Sequence, residues 1–219
     1  MKSLLLLSAA LVSFVAIQDR AEGKKEKTRL KAGDAVPEFT VKTLDGKDRT
    51  LASFRGEKKD KIVVVNFWAH TCPWSRAWDA ELSKIAKDYS SKNVVVVSID
   101  SNKSDHSDGK RTDNAESIAE YHKENKLNFD VFLDADHKVA DAFGGETTPD
   151  IFVIGTDGKI AYTGQINDMK SADASAKFEK NYLRDALDAS IGGKAPATTT
   201  TSPKGCSIKR SKKADKVKQ

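Results

Sequence analysis

Two cysteines in 219 residues are too few for a disulfide scaffold, so the fold must rest on a hydrophobic core. Five prolines and thirteen glycines are likewise too few for a collagenous or low-complexity chain. No glycine-rich phosphate loop and no dinucleotide fingerprint occurs. The apolar run Leu4–Ile17 falls short of the roughly 20 residues that span a bilayer. The four histidines, 70, 106, 122 and 137, show no pairwise ligand spacing with either cysteine, so no zinc site and no metal are expected. Asp100, Asp105, Asp108 and Asp113 give no start point for a calcium loop, because acidic or amide residues never fall at positions 1, 3 and 5 ahead of glycine at 6. No cofactor is implied by any of these residues.

What is present is a 38% hydrophobic chain, sufficient for a core. Lys2 followed by the apolar run reads as a secretory signal peptide over residues 1–17, with no tidy cleavage site and with an uncleaved anchor as the alternative. The expected location is therefore extracytoplasmic, periplasmic or secreted, where thiols can be kept oxidised. The net charge of +5 conceals a segregation: residues 204–219 hold seven Lys/Arg against one Asp and residues 19–31 six against three, which leaves the middle acidic. Residues 18–32 read as a charged linker, and 194–219 as a flexible basic tail carrying Cys206. Such a tail offers weak contact to an anionic surface, and nothing points to specific nucleic-acid binding. The triplet beginning at Asn102 fits a glycosylation acceptor.

Residues 33–193 read as one domain. Two extended runs flank Asp45-Gly46, a hairpin turn pair. The runs KIVVVNFW and NVVVVSID are nearly continuous and β-branched, as in parallel strands buried on both faces. Between them Trp74, Trp78, Leu82, Ile85 and Tyr89 recur at steps of three and four, one face of a helix. Asp113 or Asn114 is placed to cap a helix through Ile118 and Tyr121, and a short helix is expected through Val139 and Phe143. Two strands then turn at Asp157-Gly158, and a closing helix runs through Phe178, Tyr182, Leu183 and Leu187 to Ile191. The expected fold is α/β, a mixed sheet with helices on both faces and an N-terminal β-hairpin extension.

Cys72 falls where the first buried strand becomes its helix. There, unpaired backbone N–H groups and the helix dipole favour a thiolate, expected to be exposed. Pro73 suits the first helical turn, Trp68 and Trp74 can restrict water, and His70 and Thr71 are candidate modulators of the thiolate. An inert buried cysteine is the bland alternative.

The segment NFWAHTCPW resembles the active-site stretch of the thioredoxin superfamily, in particular its exported redoxin branch, which comprises thiol–disulfide oxidoreductases and AhpC/TSA-type peroxiredoxin-like proteins. AGDAVPEFTVKTLDGKDRTLASFRG resembles that branch's opening hairpin, and TTPDIFVIGTDGKIAYTGQI its cis-proline segment. YLRDALDASIGGK and GCSIKR are similar to the C-terminal part of some exported redoxin proteins. The resemblance implies a thioredoxin-like fold, Cys72 as nucleophile, a cis Thr148-Pro149 pair beside it, and substrate contacts from Trp74, Ser75, Thr148 and Pro149. Two departures qualify it. Ser75 stands where a CxxC motif has its second cysteine, and Val65 and Ala69 stand where a peroxiredoxin motif needs proline and a hydroxyl residue.

A lone thiolate can form a mixed disulfide but needs a second thiol to resolve it. The expectation is a thiol–disulfide oxidoreductase in which Cys206 resolves intermediates formed at Cys72, with protein or small-molecule disulfides as substrates and an external thiol as reductant. The alternatives are a thiol-dependent peroxidase acting on hydroperoxides, a static Cys72–Cys206 disulfide, and a non-catalytic peptide-binding module on a redoxin scaffold.

Overall fold

The computed structural model describes residues 28–102 and 113–210. The signal-peptide expectation therefore lies outside the described residues, as do His106, Asp105 and Asp108.

A hairpin opens the fold: β1 (Thr40–Thr43) pairs antiparallel with β2 (Asp48–Thr50) across the expected Asp45-Gly46 turn. The short α1 (Leu51–Arg55) follows, its first turn closed by a reciprocal Thr50/Ser53 capping box. β3 (Ile62–Phe67) leads into α2 (Pro73–Tyr89), and β4 (Val94–Asp100) returns parallel to β3. α3 (Ala115–Glu124) starts on Asn114, which makes a capping box with Ser117. β5 (Asp130–Leu133) lies parallel to β4, and α4 (Lys138–Phe143) follows. β6 (Thr147–Thr148) and β7 (Asp150–Ile154) flank Pro149, β8 (Ile160–Gly164) completes the second hairpin, and α5 is Tyr182–Ile191.

The sheet order is β2-β1-β5-β4-β3-β7-β8, parallel in its centre and antiparallel at both sides. The architecture is thioredoxin-like, with the hairpin extension added beside β5. All six residues of β3 are buried because the sheet is covered twice. Val64 packs with Trp78, Leu82 and Ile85 of α2, Ile118 of α3 and Leu183 and Leu187 of α5. Val63, Val65 and Phe67 face the other way, onto Leu51 and Phe54 of α1 and Val139 and Phe143 of α4. No helix among the described residues is long and apolar enough to cross a membrane.

Three expectations need correction. Phe178 lies outside α5 and is 40% exposed, because the chain from Asp168 to Lys180 is held by backbone N–H groups of Glu179 and Lys180 bonded to Asp168 Oδ1 instead of by helical bonds. The charged linker does not run free to residue 32: Leu30 N–H donates to Phe143 O, and Arg29 binds Asp150 through two 2.6 Å hydrogen bonds. The tail is not a flexible tether up to residue 210 either. Its backbone pairs with β8 through Thr199, Thr200 and Thr201, and Cys206–Ser207 forms a strand, β9, antiparallel to β6. Ile208 then buries its side chain in the α1/α4 layer, and Arg210 reaches Asp141 at 3.0 Å. A run of threonines satisfies backbone groups at a sheet edge, and an apolar anchor beyond it fixes the end.

Candidate functional site

Cys72 caps the N-terminus of α2 with extended backbone angles, φ −90° and ψ 119°, and Pro73 occupies the first helical position without wasting a donor. Its sulfur therefore sits where the sequence places it, at the positive end of a 17-residue helix. The expected exposure is not found: Cys72 is 3% exposed. What covers it is the tail. Cys206 Sγ lies 2.6 Å from Cys72 Sγ, and both cysteines are free thiols. A disulfide, at about 2.05 Å, is reached from this position with little movement.

The remaining contacts of Cys72 come from the cis-proline loop. The Thr148-Pro149 peptide bond is cis, as the resemblance implies. As a thiol, Cys72 donates to Thr148 O at 2.8 Å. As a thiolate it takes the Cys206 hydrogen bond, and this bond is the main reason that its pKa falls to about 5, against an opposing push from burial. The backbone N–H of Ser75 helps in the same direction. Cys206 is moved strongly upward, first because its proton is held by Cys72 and then by desolvation. The pair thus keeps one proton, with Cys72 as the thiolate and Cys206 as its hydrogen-bond donor.

Close approach of the tail depends on Gly205. A Cβ there would stand 2.2 Å from Thr148 O and 3.0 Å from Pro149 N, so any side chain would lift β9 off the loop. With glycine in place, Thr148 pairs with Cys206 in the β6/β9 ladder. The backbone edge expected to bind an extended substrate is thus occupied by the chain's own tail.

The other expected site residues divide. Thr148 is 1% exposed and sits against both cysteines. Trp74 is partly buried, stacks on Trp78 at 5.3 Å, and takes Lys204 Nζ over its ring at 5.3 Å, so it braces the tail. Ser75 is 1% exposed, and its hydroxyl accepts from Ala69 N–H at 3.4 Å, which makes it a buried support of the β3–α2 loop and not a substrate contact. His70 and Thr71 do not serve Cys72. Thr71 donates to Asp113 at 2.8 and 3.0 Å, and His70 Nδ1 lies 3.0 Å from Asp113 Oδ1. Asn102 is 6% exposed, with its side-chain oxygen accepting from Lys209 N–H at 2.6 Å, so it does not present a glycosylation acceptor.

Asp79 is the residue that the sequence reading missed. It lies on the buried side of α2, takes hydrogen bonds from Trp68 Nε1 and Tyr121 Oη at 2.8 Å each, and is pushed up to about 6, chiefly by burial. A negative Cys72 adds a smaller push in the same direction. An acidic residue one step from Trp78 on an apolar stripe was the available signal.

The family described as AhpC/TSA family matches residues 32–163. A thiol-disulfide oxidoreductase, ResA, of Bacillus thuringiensis (strain Al Hakam) is 26% identical over 157 residues, which is 72% of this chain and 80% of that protein. Peroxiredoxin Bcp of Escherichia coli (strain K12) is 27% identical over 157 residues, 66% of this chain and 90% of that one. Among solved structures, a hypothetical protein of Sinorhizobium meliloti 1021 superposes with a TM-score of 0.74 at 28% identity, covering 84% of this chain and 97% of the other.

Proposed function

The chain belongs to the AhpC/TSA family of redoxins, a family of thiol-based oxidoreductases, and from that premise we propose that it is an exported thiol–disulfide oxidoreductase working through a Cys72–Cys206 pair. The observation that carries this reading is the 2.6 Å separation of the two sulfurs. Ser75 removes the local dithiol, and the ordered tail supplies its replacement.

The steps balance as ordinary exchange. The Cys72 thiolate attacks one sulfur of a substrate disulfide, forming a mixed disulfide and releasing the other sulfur as a thiolate that takes up a proton. Cys206 loses its proton and attacks Cys72 Sγ, forming the Cys72–Cys206 disulfide and releasing the second substrate thiol. The substrate disulfide gains two electrons, the pair loses two, and an external thiol restores the reduced pair. Because β9 lies on the cis-proline edge, a bulky substrate requires the tail to move aside before attack. After attack the same tail returns Cys206 to the mixed disulfide.

The test uses Cys206→Ser and Cys72→Ser variants with a protein disulfide. Cys206→Ser is expected to accumulate a covalent adduct on Cys72, Cys72→Ser to form none, and the native chain to end as the 72–206 disulfide in mass mapping. Turnover by Cys206→Ser at the native rate would remove the resolving role.

One observation favours a second reading. With Cys72 3% exposed under the covered cis-proline edge, a small molecule such as a hydroperoxide requires less displacement of the tail than a protein does. In that reaction Cys72 becomes a sulfenic acid with loss of an alcohol, and Cys206 condenses with it, releasing water. Val65 and Ala69 stand against it, since the motif's proline and hydroxyl are missing. Hydroperoxide consumption measured beside protein-disulfide reduction, with one thiol donor for both, ranks the two.

A further inference from the structure

Three side chains from separate parts of the chain converge at the loop that leads to Cys72. His70 lies in the loop after β3, Asp100 ends β4, and Asp113 precedes the cap of α3. One ligand-capable atom from each lies within 4.8 Å of the other two, and His70 Nδ1 is 3.0 Å from Asp113 Oδ1.

Two of these groups are left unsatisfied. Asp100 is 2% exposed; its Oδ1 accepts from Asn102 N–H at 2.8 Å, but its Oδ2 is buried without a hydrogen-bond partner. His70 Nδ1 is also buried and, despite its nearness to Asp113, has no aligned hydrogen bond. Leaving a carboxylate oxygen unsatisfied costs several kcal/mol on the order of magnitude, and setting it against a second buried carboxylate adds repulsion. One imidazole nitrogen and two carboxylates held this close, with Asp100 Oδ2 buried and unpartnered, make a donor set that suits a cation.

We propose that His70, Asp100 and Asp113 bind a divalent first-row transition-metal ion, zinc being the best fit. The donor set is one imidazole and two carboxylates, which suits such an ion, whereas calcium takes six or more oxygen ligands. Zinc with ligands at about 2.0–2.2 Å spaces tetrahedral donors roughly 3.3 Å apart, so the cluster closes with side-chain adjustments of an ångström or so. Thr71, donating to Asp113, orients that carboxylate as an outer partner of a metal ligand does. The ion would tie the loop leading to Cys72 to the end of β4 and the start of α3. The sequence spacing hid this set because its members lie 30 and 13 residues apart, on separate elements.

The experiment uses the full chain with both cysteines replaced by serine, so that thiolates cannot supply the ligands. Metal-stripped protein is titrated with Zn2+ against a chromophoric chelator, and with Co2+ for its visible spectrum. One equivalent is expected to bind, with no thiolate-to-cobalt band, and His70→Gln and Asp100→Asn are each expected to weaken Zn2+ at least about 100-fold while circular dichroism stays native. Should Asp100→Asn fail to fold, the partly exposed His70 carries the same test through His70→Gln. The proposal is overturned if the cysteine-free chain binds no Zn2+, or if His70→Gln binds as tightly as its parent.

Discussion

At the scale of single residues, the low pKa of Cys72 comes chiefly from one neighbour. Its pKa of about 5 rests first on the Cys206 hydrogen bond, while burial opposes it. Replacing Cys206 with serine is therefore expected to raise the midpoint of the ultraviolet thiolate absorbance from about 5 toward the ordinary value near 8.5. Asp79 gives a separate signature in stability. Its carboxyl is raised to about 6 in the folded chain, so below about pH 4 it is protonated in both states and has no effect. As pH rises through that window the unfolded chain releases the proton and the folded chain keeps it, and stability falls. Against Asp79→Asn, the native chain is expected to lose up to about 3 kcal/mol between pH 4 and pH 7 in denaturant unfolding, and a flat difference across that range would refute the assignment.

At the scale of elements, β9 is the part on which the proposed chemistry depends. Two residues of strand hold Cys206 in register with Thr148, and Gly205 permits the approach. Gly205→Ala is expected to leave the domain folded while slowing formation of the 72–206 disulfide at least about tenfold, by analogy with small misplacements of reacting groups. Quenched alkylation followed by mass analysis reads this directly. Just beyond the cis-proline, Arg29 makes paired bonds to Asp150, which is fully buried and has its pKa raised because desolvation outweighs the guanidinium's pull. Arg29→Met leaves that carboxylate without its cation and is expected to cost about 3–5 kcal/mol at pH 7. The cost should shrink as pH falls and Asp150 takes up a proton, which urea unfolding at two pH values will show.

At the scale of the whole molecule, the two ends of the described chain close over the same β7–β8 hairpin at the sheet edge. Arg29 Nη2 and the Thr199–Thr201 backbone both reach Thr163, and Tyr162 Oη meets Thr201 Oγ1 at 2.7 Å. Removing the residues beyond 195 exposes this edge and takes Ile208 from its layer. A lower melting temperature and faster alkylation of Cys72 are expected for that truncation. An unchanged alkylation rate would mean that the tail does not shield the thiol.

Much of this arrangement was legible in the amino-acid order. The unbroken β-branched runs of β3 and β4 announce strands covered on both faces, and the Trp74 to Tyr89 stripe announces the helix that Cys72 begins, because burial imposes those periods directly on sequence. The cap of α3 was legible as Asp113 or Asn114 for the same local reason, and the structure selects Asn114. Three features were not: the docking of residues 194–210, the inward turn of Ser75 and Asp79, and the meeting of His70, Asp100 and Asp113. Each depends on groups brought together from distant positions, and composition that reads as linker leaves no periodic trace when it is pinned by backbone pairing and one anchor such as Ile208. Local sequence thus determined by itself that Cys72 stands at the start of α2. Only the tertiary structure decided that Cys206 is held against it at 2.6 Å by an ordered tail, because a contact across 134 residues is set by packing and by the absence of a side chain at Gly205.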